Sequence, residues 1–148
     1  MKRKIYLDTS VVSALFDNRT PERQNLTEQS FERFDDYDVF ISDLVLEELK
    51  TAPKKLKEKF LNTVKKYNEL KMDKETEKLA KNYVKEGIFP EKNYDDALHV
   101  AIATVNGIDC LLSWNFKHLV KVKTRKLVSL VNIKNDYKEI EIIAPPEL

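Results

Sequence analysis

Oxygen-bearing side chains recur at four places where short apolar runs end. Asp8 closes Ile5-Tyr6-Leu7, and a polar stretch beginning at Ser42 and ending in Glu47 and Glu48 follows Val39-Phe40-Ile41. Asp95 and Asp96 open an alanine-rich apolar segment, and Ser113-Trp114-Asn115 follow Cys110-Leu111-Leu112. Taken singly, each has a plain structural role. Asp8 suits a helix cap or turn, and Asp96 gains from the dipole at a helix start. Glu47 and Glu48 suit a solvated helix surface, and Asn115 suits a turn. Taken together, they define a chemistry. Carboxylates crowded at one edge raise one another's pKa, so such a cluster calls for a cation. Hard oxygen donors suit Mg²⁺ or Mn²⁺, which keep part of their water shell and bind phosphate oxygens. A cation held there activates water and neutralises charge developing on a phosphodiester.

Positioning these groups requires alternating strands and helices. The patterning predicts strands at 5–7, 38–41, 109–112 and 140–143. Helices are predicted at 10 to about 17, around Phe31 and Phe34, after Ser42, over 54–70, over 73–86 with Gly87 as its stop, and from Tyr94 to about Asn106 with Asn93 as its cap. A further short helical stretch precedes 127–131. Thr20-Pro21-Glu22-Arg23 reads as a loop, and Ile143-Ala144-Pro145-Pro146 as a tail. Short strands, apolar throughout and separated by helices, argue for a three-layer α/β/α sandwich around a central parallel sheet of four or five strands. Functional groups in such sheets gather at the carboxyl ends of the strands, where Asp8, the residues after Ile41 and those after Leu112 fall.

Composition bounds the rest. At 148 residues the chain makes one domain, with its core from about residue 4 to 143. Apolar residues at 42% suffice for a core although 34% of the chain is charged, which excludes wholesale disorder. With 26 basic and 25 acidic residues the net charge is +1, so nucleic acid would be met by a local basic patch beside a separate acidic site. The single cysteine, Cys110, allows no internal disulfide and suits a reducing cytoplasm. The apolar run at 100–105 is too short to cross a bilayer. Asp8 interrupts the N-terminal apolar stretch too early for a secretory signal.

The sequence resembles the PIN-domain ribonucleases, and in particular toxin-like proteins of the VapC type. Four segments in order carry the resemblance: Ile5-Tyr6-Leu7-Asp8-Thr9-Ser10, Ile41-Ser42-Asp43-Leu44-Val45-Leu46-Glu47-Glu48-Leu49, Tyr94-Asp95-Asp96-Ala97-Leu98-His99-Val100-Ala101 and Leu112-Ser113-Trp114-Asn115-Phe116-Lys117-His118. They span nearly the whole chain. The resemblance implies a metal-dependent endoribonuclease, using Mg²⁺ or Mn²⁺ and leaving 5′-phosphate and 3′-hydroxyl ends. It further implies the toxin of a type II toxin–antitoxin pair, with RNA as substrate, a cognate antitoxin as partner and a homodimer as assembly. The family carboxylates fall on Asp8, on Glu48 with Glu47 as the competitor one residue away, and on Asp96 with Asp95 beside it. A fourth family position, usually aspartate, is Asn115 here, which removes one formal negative charge and favours one bound metal over two. Ser10 and Ser113 are expected to position ligands or a phosphate.

The remaining polar residues are weighed against plain packing. His99, three residues after Asp96, shares its helix face and is expected to be a packed, hydrogen-bonded histidine or to orient a carboxylate. His118 reads as surface, Cys110 as a small core residue, and Trp114 as core rather than a base-stacking ring. Lys117, Lys121, Lys123, Arg125 and Lys126 form a run without an acid, suited to phosphate-backbone contact. Lys54, Lys55, Lys57 and Lys59 read as a solvated face. A competing reading is a catalytically weakened PIN-like protein acting as an RNA- or protein-binding module, favoured only by Asn115. An aspartate-dependent phosphatase of the HAD kind is set aside because Ser10 stands where that chemistry needs a second aspartate.

Overall fold

The computed structural model describes residues 1–148. The chain runs β1 (Lys4–Leu7), α1 (Thr9–Leu15), α2 (Pro21–Glu32), β2 (Asp38–Ser42), α3 (Asp43–Leu49), α4 (Lys54–Val64) and β3 (Asn68–Leu70). It continues with α5 (Lys74–Lys85), α6 (Tyr94–Val105), β4 (Cys110–Leu112), α7 (Val122–Lys134) and β5 (Glu141–Ile143). Five strands pair in the order β3-β2-β1-β4-β5, every pair parallel. The sequence-based range of four or five strands resolves to five.

Parallel strands of this kind are buried on both faces, which explains their unbroken apolar character. Ile5, Tyr6 and Leu7 of β1 and Cys110, Leu111 and Leu112 of β4 are all fully buried. Helices α1 to α4 pack among themselves as one layer, and α5, α6 and α7 as the other. From β1 the chain moves outward to β2 and β3, then crosses back to β4 on the other side of β1. The connections therefore diverge between β1 and β4, the switch point at which open α/β sheets form a crevice outside the strands' carboxyl ends.

Local chemistry accounts for most element ends. The Asp73 carboxylate accepts from the Thr76 amide while the Thr76 hydroxyl accepts from the Asp73 amide, a reciprocal box that starts α5. Gly87 (φ +79°) and Gly107 (φ +67°) follow α5 and α6 in the left-handed region that a helix C-terminus favours.

Five expectations are corrected. The helix predicted over 54–70 ends at Val64, and Asn68–Leu70 instead pairs with β2 as an edge strand. The helical spacing of Tyr67 and Leu70 continued by accident, and a three-residue edge strand carries too little alternation to compete with it. Pro21 begins α2 rather than lying in a loop, because its fixed φ and missing N–H suit the first helical turn. Phe34 leaves the helix of Phe31 for a separate 3₁₀ turn, Phe34–Asp36. Asn93 precedes α6 without a side-chain cap, since the 3₁₀ turn Glu91–Asn93 already feeds the helix. The C-terminal helical stretch is a single 13-residue helix, Val122–Lys134. No helix is long and apolar enough to cross a membrane.

Candidate active site at the carboxyl edge of the sheet

Asp8 is the cap of α1, and its position follows from β1 ending at Leu7. Its Oδ1 accepts from the Ser10 hydroxyl at 2.5 Å and from the Val11 amide at 3.3 Å. Asp8 is only 4% exposed. Burial pushes its carboxyl above the ordinary value, and the nearby His99 with the Ser10 and Ser113 hydroxyls offsets part of that.

Glu48 lies on α3, started by Ser42 at the end of β2, whose hydroxyl accepts from the Val45 amide at 3.2 Å. Glu47 faces solvent, whereas Glu48 turns inward, half-buried. That difference selects Glu48 from the two adjacent acids. Its Oε1 accepts from the Thr9 hydroxyl at 2.5 Å and from His99 Nε2 at 2.8 Å. Burial acts to raise this carboxyl, but the hydrogen bond and charge of His99 and the Thr9 hydroxyl outweigh it and hold it below the ordinary value.

His99 is 3% exposed and joins a continuous hydrogen-bonded chain. Its Nδ1 stands 2.7 Å from Tyr6 Oη, which is 2.7 Å from Ser42 Oγ. With Nε2–H given to Glu48, a neutral His99 accepts at Nδ1 from the Tyr6 hydroxyl, and the Ser42 hydroxyl donates to Tyr6. A protonated His99 reverses the direction of both bonds, so the chain closes in either state. Burial lowers the His99 pKa, yet the hydrogen bond to Glu48 and the charges of Asp8, Glu48 and Asp96 win and raise it.

Asp96 sits in the first turn of α6, half-buried, while Asp95 beside it is exposed. Both Asp96 carboxylate oxygens face Asn115 Nδ2 at 3.4 Å, a long shared contact. Burial raises the Asp96 carboxyl, His99 and His118 lower it, and the charges of Asp8 and Glu48 raise it further. The charges of Asp8 and Glu48 are thus the smaller contributions to the Asp96 shift, behind burial. His118, expected at the surface, is half-buried and near enough for its charge to act on Asp96.

The corner after β4 is held by short bonds. Ser10 Oγ accepts from the Trp114 amide at 2.9 Å, and Ser113 Oγ accepts from the Asn115 amide at 2.9 Å. Asn115 Oδ1 accepts from the His118 amide at 2.9 Å. Ser113 is fully buried, and its hydroxyl both fixes this corner and helps hold down the Asp8 carboxyl. Trp114 is buried, its Nε1 donating to Thr27 Oγ1 at 3.0 Å and its ring lying 4.9 Å under the Arg23 guanidinium. Lys117, Lys121 and Lys123 are exposed and form no ion pair with any carboxylate of the chain. Tyr6 and Thr9 were not foreseen as site residues. A tyrosine in the middle of a fully apolar strand was the only available signal for the first, and a hydroxyl directly after Asp8 for the second.

The donor set fits a hydrated hard cation. Glu48 Oε2 accepts no hydrogen bond from the chain and is not sealed from solvent. No three carboxylate, imidazole or thiol groups stand close enough to enclose an ion directly. Mg²⁺ and Mn²⁺ are hard cations that carboxylates hold partly through retained water.

The family model of the PIN domain matches residues 5–119, and the chain belongs to that family. No curated protein matches the sequence. Three solved structures share the fold. A toxin–antitoxin complex from Klebsiella pneumoniae is 17% identical with a TM-score of 0.63, over 81% of this chain and 93% of that one. VapBC2 from Rickettsia felis, bound to a DNA fragment from its promoter, is 13% identical at 0.57, over 94% and 96%. VapC20 from Mycobacterium tuberculosis, a toxin that cleaves the sarcin–ricin loop, is 17% identical at 0.59, over 80% and 97%.

Proposed function

We propose that the protein is a metal-dependent endoribonuclease and the toxin of a toxin–antitoxin pair. The observation that carries this reading is that Asp8, Glu48 and Asp96 meet one hydrogen-bonded corner: Ser10 bonds both Asp8 and the Trp114 amide, Asn115 meets Asp96, and His99, three residues along α6 from Asp96, holds Glu48. Crowding of like charge at an open edge is unfavourable without a cation to neutralise it. Asp8, Glu48 and Asp96 would hold Mg²⁺ or Mn²⁺, which when bound supplies water activation and charge neutralisation at the phosphodiester.

The chain's own residues do the rest. Thr9 and His99 fix Oε1 of Glu48 and leave Oε2 without a partner in the chain. Ser10 fixes Oδ1 of Asp8 while tying β1's end to the Trp114 amide. Asn115 contributes an amide in place of a charge and meets both oxygens of Asp96, which favours one cation over two. Lys117, Lys121 and Lys123 supply phosphate contacts beside the acidic edge.

A protein inhibitor has a place to bind. A groove of about 560 Å³ opens beside Glu48 and Thr9, floored by Phe16, Leu49, Leu56 and Phe60 with Arg19 at its rim. An apolar floor with a charged rim suits an amphipathic helix. An antitoxin segment seated there would lie against the Glu48 end of the site. Toxin–antitoxin complexes among the structures of the same fold support an antitoxin partner, and the groove is our proposed seat for it.

The test is cleavage of single-stranded RNA with Mn²⁺ or Mg²⁺, with and without EDTA, by the wild type and by Asp8→Asn and Asp96→Asn separately. Activity should vanish in EDTA and fall on the order of 100-fold or more in each variant. Undiminished cleavage by either variant would remove the proposal.

A further inference from the structure

An exposed aromatic ring stands one residue beyond the acidic corner. Phe116 follows Asn115, whose amide meets the Asp96 carboxylate, so the two Cα atoms are about 3.8 Å apart. The Phe116 side chain is 49% exposed, one of few large apolar groups on the surface. It is also presented rigidly. The Leu119 and Val120 amides both donate to Asn115 O, and the Phe116 amide donates to Trp114 O. Its ring meets Trp114 edge-on, with centroids 6.1 Å apart and planes at 69°. Trp114 is itself locked by Thr27 and Arg23. Both the indole N–H and one face of Trp114 are thus committed within the chain, which leaves Phe116 as the free ring. Lys117, exposed and without an ion-pair partner, is its neighbour.

A free aromatic face, a cation and a phosphodiester-directed site on one stiff loop are the components with which proteins hold single-stranded nucleic acid. We propose that Phe116 is a base-stacking subsite: an unpaired nucleobase flanking the cleaved bond lies on its open face, while Lys117 meets an adjoining phosphate. Trp114 and Arg23 act as the rigid backing. The subsite makes the substrate single-stranded at the cleaved position and rests on the endoribonuclease reading.

The experiment measures kcat and KM on a short single-stranded RNA and on the same RNA made abasic at the nucleotides flanking the cleaved bond. It uses the wild type, Phe116→Ala, Phe116→Leu and Phe116→Trp. Base–aromatic stacking is worth enough to predict a loss of about tenfold in kcat/KM for the wild type on the abasic RNA. Phe116→Ala and Phe116→Leu should lose about the same factor on the intact RNA, chiefly in KM, and little more on the abasic one, while Phe116→Trp restores the wild-type value. Equal losses for Phe116→Ala on both RNAs, or none on the intact RNA, would overturn the subsite while leaving the nuclease standing. A Phe116→Ala variant that cleaves normally but escapes a protein inhibitor would overturn it in favour of a protein contact. A wild type that neither binds nor cleaves single-stranded RNA removes the subsite together with the endoribonuclease reading.

Discussion

Asp96 shows most directly what the site costs the fold. Its carboxyl is raised by burial and by the charges of Asp8 and Glu48, against the opposing pull of His99 and His118. A raised native pKa means that the folded state holds the proton more tightly than the unfolded one. Stability therefore falls as pH rises from the unfolded value, about 3.9, through the raised native value, and the loss is complete above it. Asp96→Asn removes that penalty. In EDTA at neutral pH the variant should be more stable than the wild type, read as a higher Tm. The advantage should fall away as pH drops through the raised native value and be gone below about pH 4. A variant less stable than the wild type at neutral pH would show that Asp96 is a structural partner rather than a strained one. The acidic residues were legible in the sequence because each falls where an apolar run starts or stops. The choice between Glu47 and Glu48 was not, since helix phase depends on where α3 begins and one residue of slip exchanges the inward and outward acids.

At the scale of elements, the site is held by a polar thread through the sheet. Tyr6 on β1, Ser42 at the end of β2 and His99 on α6 are all buried, and their bonds tie three elements to the Glu48 carboxylate. Removing one member leaves buried groups short of a partner, at a cost of about 1–3 kcal/mol. Tyr6→Phe keeps the ring and deletes only the hydroxyl. It should lower stability by about that amount in chemical denaturation, with the slope unchanged, and an unaltered midpoint would mean that water or Ser42 alone replaces the link. Nothing in the pattern around Ile5-Tyr6-Leu7 distinguishes this tyrosine from a packed aromatic, because its partners lie 36 and 93 residues away. The helices with capping signals, such as α5 behind Asp73, were legible nearly to the residue. The edge strand Asn68–Leu70 was not, because pairing with β2, rather than local periodicity, makes it a strand.

The whole molecule separates its charges. Net charge is only +1, yet the exposed Lys117, Lys121 and Lys123 follow the Asn115 corner closely in the chain. On the proposed reading a polyanion would be attracted by the basic side and processed at the acidic one. Lys121→Glu combined with Lys123→Glu should weaken RNA binding and reduce the slope of log K against log salt by about 0.7 for each phosphate that is no longer neutralised. An unchanged slope would assign these lysines to solubility alone. The sandwich itself was legible from alternation and from the apolar strands, since burial on both faces leaves no other architecture for them. The convergence at the β1–β4 switch point was only an expectation until the strand order was known.

The central claim is that Asp8, Glu48 and Asp96 jointly hold one divalent cation. Calorimetric titration of Mn²⁺ into the wild type, Glu48→Gln and Glu47→Gln tests it without any nucleic acid. The wild type should bind one ion, Glu48→Gln should bind it at least about tenfold more weakly, and Glu47→Gln should match the wild type. Equal affinity in the wild type and Glu48→Gln would contradict the account.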